Sequence, residues 1–341
     1  MELLKKLTEA SGAPGFEDEI RDMCIAELKP LCDSVTVDAM GNVIGVKKGS
    51  KAGAKKIMLA GHMDEIGFAV KFVDEKGFLR FAPLGGFDPK TLIAKRVIVS
   101  GKKGRRTGMI GTKPIHIMKD EEKAKMPTLD DLFIDLGIPT EQVHEEVEVG
   151  TPVTLYQTFQ SWGDIACCKS MDNRISLWTI IRALQKTPKP VHDVYAVMTV
   201  QEEIGVRGAA AAAYGVNPDI GIAIDVTLAC DMPGVDSKDY ITKLGDGAAI
   251  KVLDSYSISC PRLVKEFRAV AESKGIKYQL ELLPRGGTDA GGIQRAREGK
   301  RVITLSVPTR YVHSVVETVN VKDLNATADL LAAYLAHDAA I

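Results

Sequence analysis

The feature that most restricts the fold is a set of short, almost entirely apolar segments separated by helical patterns. Lys56–Ala60, Val194–Val200, Ile220–Ile224 and Val302–Val307 are rich in β-branched and aliphatic residues, as expected for strands buried on both faces of a sheet. Strands that alternate with helices predict an α/β fold with a doubly wound, mostly parallel sheet and helices on both faces. Helices are predicted at Glu17–Leu28, Ser170–Gln185, Gly208–Tyr214, Pro261–Lys274, Asp289–Glu298 and Lys322–Ala336.

The stretch from residue 69 to 164 breaks this alternation. Phe68–Phe81 alternates in hydrophobicity around a Glu75–Gly77 turn, which is typical of a β-hairpin, and Arg96–Val99 and Thr151–Tyr156 predict further strands. The charged run Lys119–Lys125 predicts a mobile, solvated loop. We therefore expect a β-rich, barrel-like domain at 69–164, inserted between the two parts of a catalytic α/β domain at 1–68 and 165–341.

Composition excludes several classes of partner. Of 341 residues, 45% are hydrophobic and 26% charged, as in globular proteins, and no apolar stretch is long enough to span a membrane. Lys and Arg (44) balance Asp and Glu (45), which argues against nucleic acid or anionic lipid as a main partner. The six cysteines form no C-x-x-C pair, and Met1–Gly12 lacks the apolar core of a signal peptide. We expect reduced thiols and a cytoplasmic location.

Polar side chains gather at the predicted strand ends. Any one of them could be structural; a carboxylate that opens a helix, for instance, is favoured by the helix dipole. Taken together, most fall at the carboxyl ends of strands of one sheet, where open α/β folds bind ligands. These candidates are His62 and Asp64 after the first strand, Asp172 at the start of the helix near Ser170, Glu202 and Glu203 after Val194–Val200, Asp225 at the end of Ile220–Ile224, and His313 beyond Val302–Val307.

Two histidines and four or more carboxylates are too many charges to bury together without cations. Two divalent metal ions about 3.5–4 Å apart, bridged by one carboxylate, would neutralise them. Imidazole and carboxylate ligands without thiolate suit Zn²⁺, Co²⁺ or Mn²⁺ better than Ca²⁺.

The ordered set of motifs resembles the M42 family of metallo-aminopeptidases over essentially the whole chain. The resemblance implies a two-metal exopeptidase that acts on peptides, with an inserted dimerisation domain and assembly of dimers into a tetrahedral homododecamer. An apolar surplus in the insertion (Phe68, Val70, Phe72, Leu79, Phe81) also favours self-association. The matching motifs are Ser11–Glu17, Gly61–Glu65, Met171–Arg174, Gln201–Gly205, Arg207–Gly208, Asp225, Gly286–Ala290 and Tyr311–Ser314.

The resemblance also implies roles for single residues. His62 and Asp225 would each bind one metal, Glu203 and His313 the other, and Asp172 would bridge the two. Glu202 would be the general base, and neighbouring side chains at a strand end diverge, so Glu202 can reach the bridging water while Glu203 reaches metal. Asp64, two residues after His62, is expected to accept the free ring N–H of that histidine.

Three alternatives remain open. A carbohydrate hydrolase is one, because some relatives carry an endoglucanase label, although glycosidases need two carboxylates and no metal. A metal-dependent deacylase or a carboxypeptidase of related fold is the second. The third, a silent assembly scaffold, is disfavoured by Glu202 beside a full ligand set. The sequence does not reveal the preferred N-terminal residue, the physiological metal, the dominant oligomer or the purpose of His116.

Overall fold

The structure, a computed structural model, describes residues 1–338. In that range the helices are α1 (Glu2–Glu9), α2 (Asp18–Leu28), α3 (Asp120–Lys123), α4 (Thr140–Glu146), α5 (Met171–Lys186), α6 (Arg207–Val216), α7 (Pro261–Lys274), α8 (Asp289–Gln294) and α9 (Val321–Leu335). A large sheet contains β1 (Ser34–Val37), β2 (Val43–Lys47), β3 (Lys56–His62), β10 (Gln160–Trp162), β11 (Ile165–Cys168), β12 (Asp193–Thr199), β13 (Ile220–Leu228), β14 (Ala248–Leu253), β15 (Tyr278–Leu282), β16 (Arg301–Arg310) and β17 (Glu317–Asn320). A barrel contains β4 (Gly67–Val73), β5 (Leu79–Leu84), β6 (Arg96–Gly101), β7 (Gly104–Thr112), β8 (Leu132–Asp135) and β9 (Pro152–Leu155).

The large sheet is mixed, with its parallel strands at the centre. β12, β3, β13 and β16 lie side by side and run parallel, while β2 on one flank and β17 on the other pair antiparallel with them. β14 pairs antiparallel with β16, and β15 extends it in parallel. The α/β prediction is therefore confirmed; the parallel pairs are those of the central group and of β14 with β15, and the other pairs of this mixed sheet are antiparallel.

Successive side chains of the strands point to opposite faces of the sheet and so contribute to two hydrophobic layers. Ile57 and Leu59 of β3 join a cluster that includes residues of α1, α2, α5, α7 and α9. Met58 and Ala60 point the other way and pack with residues of α6 and α8. Helices therefore cover both faces of the sheet, as a doubly wound fold requires. No helix between residues 1 and 338 combines the length and hydrophobicity that a membrane span requires.

The inserted segment forms a closed six-stranded barrel in the order β4-β5-β8-β7-β6-β9. Its last strand ends at Leu155, whereas β10, inside the predicted 69–164 insertion, pairs with β11 in the large sheet. The predicted loop Lys119–Lys125 contains the short helix α3, and its side chains are exposed.

The prediction that the insertion has more apolar side chains than it can bury is wrong for four of the five residues. Phe68, Val70, Leu79 and Phe81 are at most 2% exposed, because closure of the sheet gives them an interior of their own. Phe72 alone of the five faces out, at 55% exposure. The four buried residues therefore give no argument for pairing with a second copy.

Candidate active site

All the candidate ligands are brought to one edge of the large sheet. His62 is the last residue of β3 and lies opposite Thr199, the last residue of β12, so Glu202 and Glu203 follow beside it. Asp225 lies within β13, which continues to Leu228 rather than ending at Ile224 as predicted. The side chains that line one cavity of about 420 Å³ include His62, Asp172, Glu202, Glu203, Asp225 and His313.

A first group of ligand atoms comes from His62, Asp172 and Asp225. One atom from each of these buried side chains lies within 4.8 Å of the other two. Nε2 of His62 is 3.1 Å from Oδ1 of Asp172 and 4.0 Å from Oδ1 of Asp225. The three atoms converge as ligands of one small cation would.

A second group comes from Asp172, Glu203 and His313, again with one atom each within 4.8 Å. Nε2 of His313 is 3.4 Å from Oε2 of Glu203 and 3.5 Å from Oδ2 of Asp172. Asp172 therefore belongs to both groups and turns a different oxygen towards each histidine. Glu202 belongs to neither group, and its Oε2 lies 3.9 Å from Nε2 of His62.

Three carboxylates of the site lie in an environment that disfavours their charge, whereas His313 and His62 hold the pKa of Asp172 below its ordinary value. Burial raises the pKa of Glu202 and of Asp225 well above the ordinary values, and raises that of Glu203. Close like charges add to the effect; Asp225 feels Asp172, and Glu202 feels Asp225.

The neighbouring carboxylates favour the charged form of both histidines. Burial opposes protonation of His313, but Glu203 and Asp172 outweigh that cost and raise its pKa to about 12. Burial likewise opposes protonation of His62, but Asp172, Asp64 and Glu202 raise its pKa well above the ordinary value. The cluster thus favours positive charge, which divalent cations would supply.

The residues present fit metal ions in a second respect. Oε1 of Glu203 is buried and accepts no hydrogen bond within residues 1–338, which is costly unless a cation engages it. Imidazole nitrogens and carboxylate oxygens form the rest of the donor set and suit Zn²⁺, Co²⁺ or Mn²⁺.

Asp64 contacts His62 as predicted, but through its backbone oxygen and not through its carboxylate. Nδ1 of His62 lies 2.9 Å from the backbone oxygen of Asp64, so the ring N–H donates to that carbonyl and not to the carboxylate, whose Oδ1 is 3.6 Å away. The fully buried carboxylate instead accepts the backbone N–H groups of Glu202 and Glu203, each at 3.0 Å. Asp64 therefore orients both the histidine and the two glutamates.

Two further buried carboxylates support the ligands and were not assigned a role from the sequence. Glu317 accepts the backbone N–H of Asp172 at 2.9 Å and that of His313 at 2.7 Å. Asp289 accepts the hydroxyl of Thr199, the last residue of β12, at 2.5 Å. Asp289 lies in one of the M42-like motifs, Gly286–Ala290, whereas no sequence signal distinguishes Glu317. His116 is exposed in a turn of the inserted segment and joins neither ligand group.

Beside the ligands, the cavity offers a mainly apolar wall. Leu228, Tyr256, Leu283 and Val312 line it together with the guanidinium-bearing Arg285. A cavity of this kind, with a few convergent polar groups at one end, accommodates a small organic group next to the ligand cluster.

Comparison with known proteins decides the family. A family model described as M42 glutamyl aminopeptidase matches residues 41–330. The chain belongs to the M42 peptidase family. It is therefore a peptide hydrolase, as the resemblance implied.

Three known proteins illustrate the similarity. Lysyl aminopeptidase of Pyrococcus furiosus is 36% identical, with 98% of this chain and 96% of that protein aligned. The structure of an aminopeptidase from the archaeon Desulfurococcus kamchatkensis is 39% identical, with a TM-score of 0.94 over 99% of this chain and 94% of that chain. A TET1 peptidase of Pyrococcus horikoshii, which can assemble into a tetrahedron or a large octahedral shell, is 32% identical, with a TM-score of 0.86 over 98% of each chain.

Proposed function

We propose that this M42 peptidase is a two-metal aminopeptidase that removes N-terminal residues from short peptides. The observation that carries the proposal is Asp172, whose two carboxylate oxygens face two separate ligand groups. His62 and Asp225 would complete one metal site, and Glu203 and His313 the other. When bound, Zn²⁺, Co²⁺ or Mn²⁺ ions would polarise the scissile carbonyl and lower the pKa of the attacking water.

Glu202 is the general base in this proposal. Its side chain lines the cavity, is 12% exposed, and is not used by either ligand group. Glu202 takes the proton of the attacking water and gives it to the leaving amine. Asp64 fixes the backbone from which Glu202 projects, through the 3.0 Å hydrogen bond to its N–H.

Removal of N-terminal residues, rather than another amide hydrolysis, is supported by the relatives. The lysyl aminopeptidase of Pyrococcus furiosus aligns over nearly the whole of both chains. The cavity of about 420 Å³ admits the end of a peptide rather than a folded protein. A carbohydrate hydrolase is disfavoured because His62 and His313 join the carboxylates in ligand geometry, which glycosidases do not require.

Self-association through the inserted barrel, from a dimer to a homododecamer, belongs to the same proposal. The Pyrococcus horikoshii peptidase forms such closed shells. Outside its interior the inserted segment exposes Ile115, Ile117 and Met126, each more than 60% exposed. Sedimentation at micromolar concentration is expected to detect a dimer or a dodecamer, and a fully active monomer would contradict the proposed self-association.

All six cysteines are free thiols, in line with the cytoplasmic location we propose.

The test uses protein stripped of metal by chelation and reloaded with Zn²⁺, Co²⁺ or Mn²⁺ singly. We expect hydrolysis of aminoacyl-p-nitroanilides only after reloading, and no hydrolysis of the N-acetylated forms of the same compounds. Carboxymethylcellulose serves as the carbohydrate control. Activity in stripped protein, or a preference for the acylated compounds, would overturn the proposal.

A further inference from the structure

The backbone N–H groups just before and through the two glutamates all donate to side chains from elsewhere in the chain. β12 ends at Thr199, so the next residues have no ladder partner for their N–H groups. Asn42 Oδ1 accepts the N–H of residue 200 at 3.0 Å, and Glu17 Oε1 accepts that of residue 201 at 3.2 Å. Oδ1 and Oδ2 of Asp64 accept those of residues 202 and 203. Four consecutive N–H groups are thus satisfied by three acceptor side chains.

Of these three acceptor side chains, Glu17 is the one whose burial is not explained by another role. Its side chain is 3% exposed and does not cap α2, although Glu17 is the residue that precedes that helix. The same oxygen, Oε1, accepts the N–H of Gly15 at 2.8 Å. Glu17 does not line the cavity. It therefore joins the Gly15 turn to the peptide of Gln201.

The backbone of Gln201 has an unfavourable conformation that its surroundings must stabilise. Gln201 has a φ of 56°, in the left-handed region that side-chain-bearing residues seldom adopt. Such a conformation persists only where its surroundings fix it. Its carbonyl accepts the N–H of Arg207 at 3.2 Å, and its N–H is fixed by Glu17.

The other side of this backbone is closed by Gly208. A Cβ added to Gly208 would lie 2.4 Å from Oδ1 of Asn42 and 2.4 Å from the backbone oxygen of Val200. Gly208 therefore packs directly against the backbone of Val200, one residue before Gln201.

We propose that Glu17 is a positioning residue that acts through the Gln201 peptide to hold Glu202 and Glu203 in their working orientation. The proposal rests on the proposed role of Glu202 as general base. The acceptor oxygen of Glu17 holds the Gln201 peptide, and the length of the side chain places that oxygen. The negative charge of Glu17 is not required.

Two conservative variants separate the acceptor from the charge. Glu17→Gln keeps an oxygen at the same reach and removes the charge, whereas Glu17→Asp keeps the charge and withdraws the oxygen by one methylene. We expect Glu17→Gln to retain a kcat close to that of the wild type. Glu17→Asp is expected to lose about 10–100-fold in kcat, as changes to groups that orient ligands do, with KM and metal content unchanged. Asp22→Asn, on the exposed side of α2, is the control.

The readouts are kcat and KM on an aminoacyl-p-nitroanilide, metal ions per chain, and the urea midpoint, which establishes that each variant is folded. The proposal is overturned if Glu17→Gln is not the more active of the two, or if both match the wild type. Glu202→Gln is measured in parallel. Normal turnover in that variant would overturn the base assignment itself, whereas its loss beside a fully active Glu17→Asp overturns only the role of Glu17.

Discussion

Oδ1 of Asp64 accepts the backbone N–H of Glu202 at 3.0 Å, so the proposed base is held by a carboxylate that never faces the cavity. Asp64→Asn leaves one oxygen for two N–H groups and turns an amide N–H₂ towards the other. We expect kcat to fall about 10–100-fold while both metals stay bound. Kinetics and elemental analysis of the purified variant check this, with Asp22→Asn as control. An unchanged kcat would mean that Asp64 has no part in positioning Glu202.

Asp172 is expected to be needed for metal retention, because it contributes to both ligand groups. Asp172→Ala removes the shared negative charge between two dications, so the variant should hold fewer than two ions per chain and lose activity. Elemental analysis after dialysis measures this, and Glu202→Gln is the comparison that should keep both ions. Two tightly bound ions in Asp172→Ala would show that another residue bridges the metals.

The buried pair of Glu65 and Lys169 is predicted to stabilise the fold beneath the site. Lys169 Nζ lies 2.8 and 2.7 Å from the two carboxylate oxygens of Glu65, and both side chains are at most 3% exposed. Glu65→Ala leaves this buried ammonium without its carboxylate partner and should lower the free energy of unfolding by about 3–5 kcal/mol. Lys322→Ala, which breaks an exposed pair with Asp164, should cost about 1 kcal/mol or less. Equal urea midpoints for the two variants would refute the difference.

Glu17 gives a pH dependence of stability with a definite sign. Burial raises its pKa from 4.5 to about 7, so between these values the folded chain binds a proton that the unfolded chain has released. The free energy of unfolding should therefore fall as the pH rises from 4.5 to 7, by about 3 kcal/mol, and the Glu17→Gln variant should lack this part. Urea titrations of both proteins at several pH values test it; parallel curves would contradict the raised pKa.

Local signals allowed much of the fold to be predicted. Pro261 at the first position of α7 and Gly275 with a φ of 64° after it mark that helix, and its predicted bounds agree with the structure. The predicted end of β13, Ile224, is four residues early, because a charged residue such as Asp225 is typical of a strand end when its charged neighbours in the fold are unknown. Local pattern does not show that a polar residue continues a buried strand.

The supporting contacts of the site were harder to predict, since they depend on which strands lie side by side. That the Asp64 carboxylate binds residues 202 and 203 follows from the pairing of β3 with β12, which separate sequence segments do not specify. Glu317 reaches Asp172 for a similar reason, because β17 pairs with β11 next to the start of α5.

The most direct test of the two-metal aminopeptidase is Glu202→Gln, assayed for turnover and for metal in the same preparation. We expect two metal ions per chain and a kcat lowered by about 10²–10⁴-fold, because a positioned general base is lost while every proposed ligand remains. Thermal unfolding close to that of the wild type would show that the fold is intact. Near-normal turnover in a fully metallated Glu202→Gln protein would show that Glu202 is not the general base.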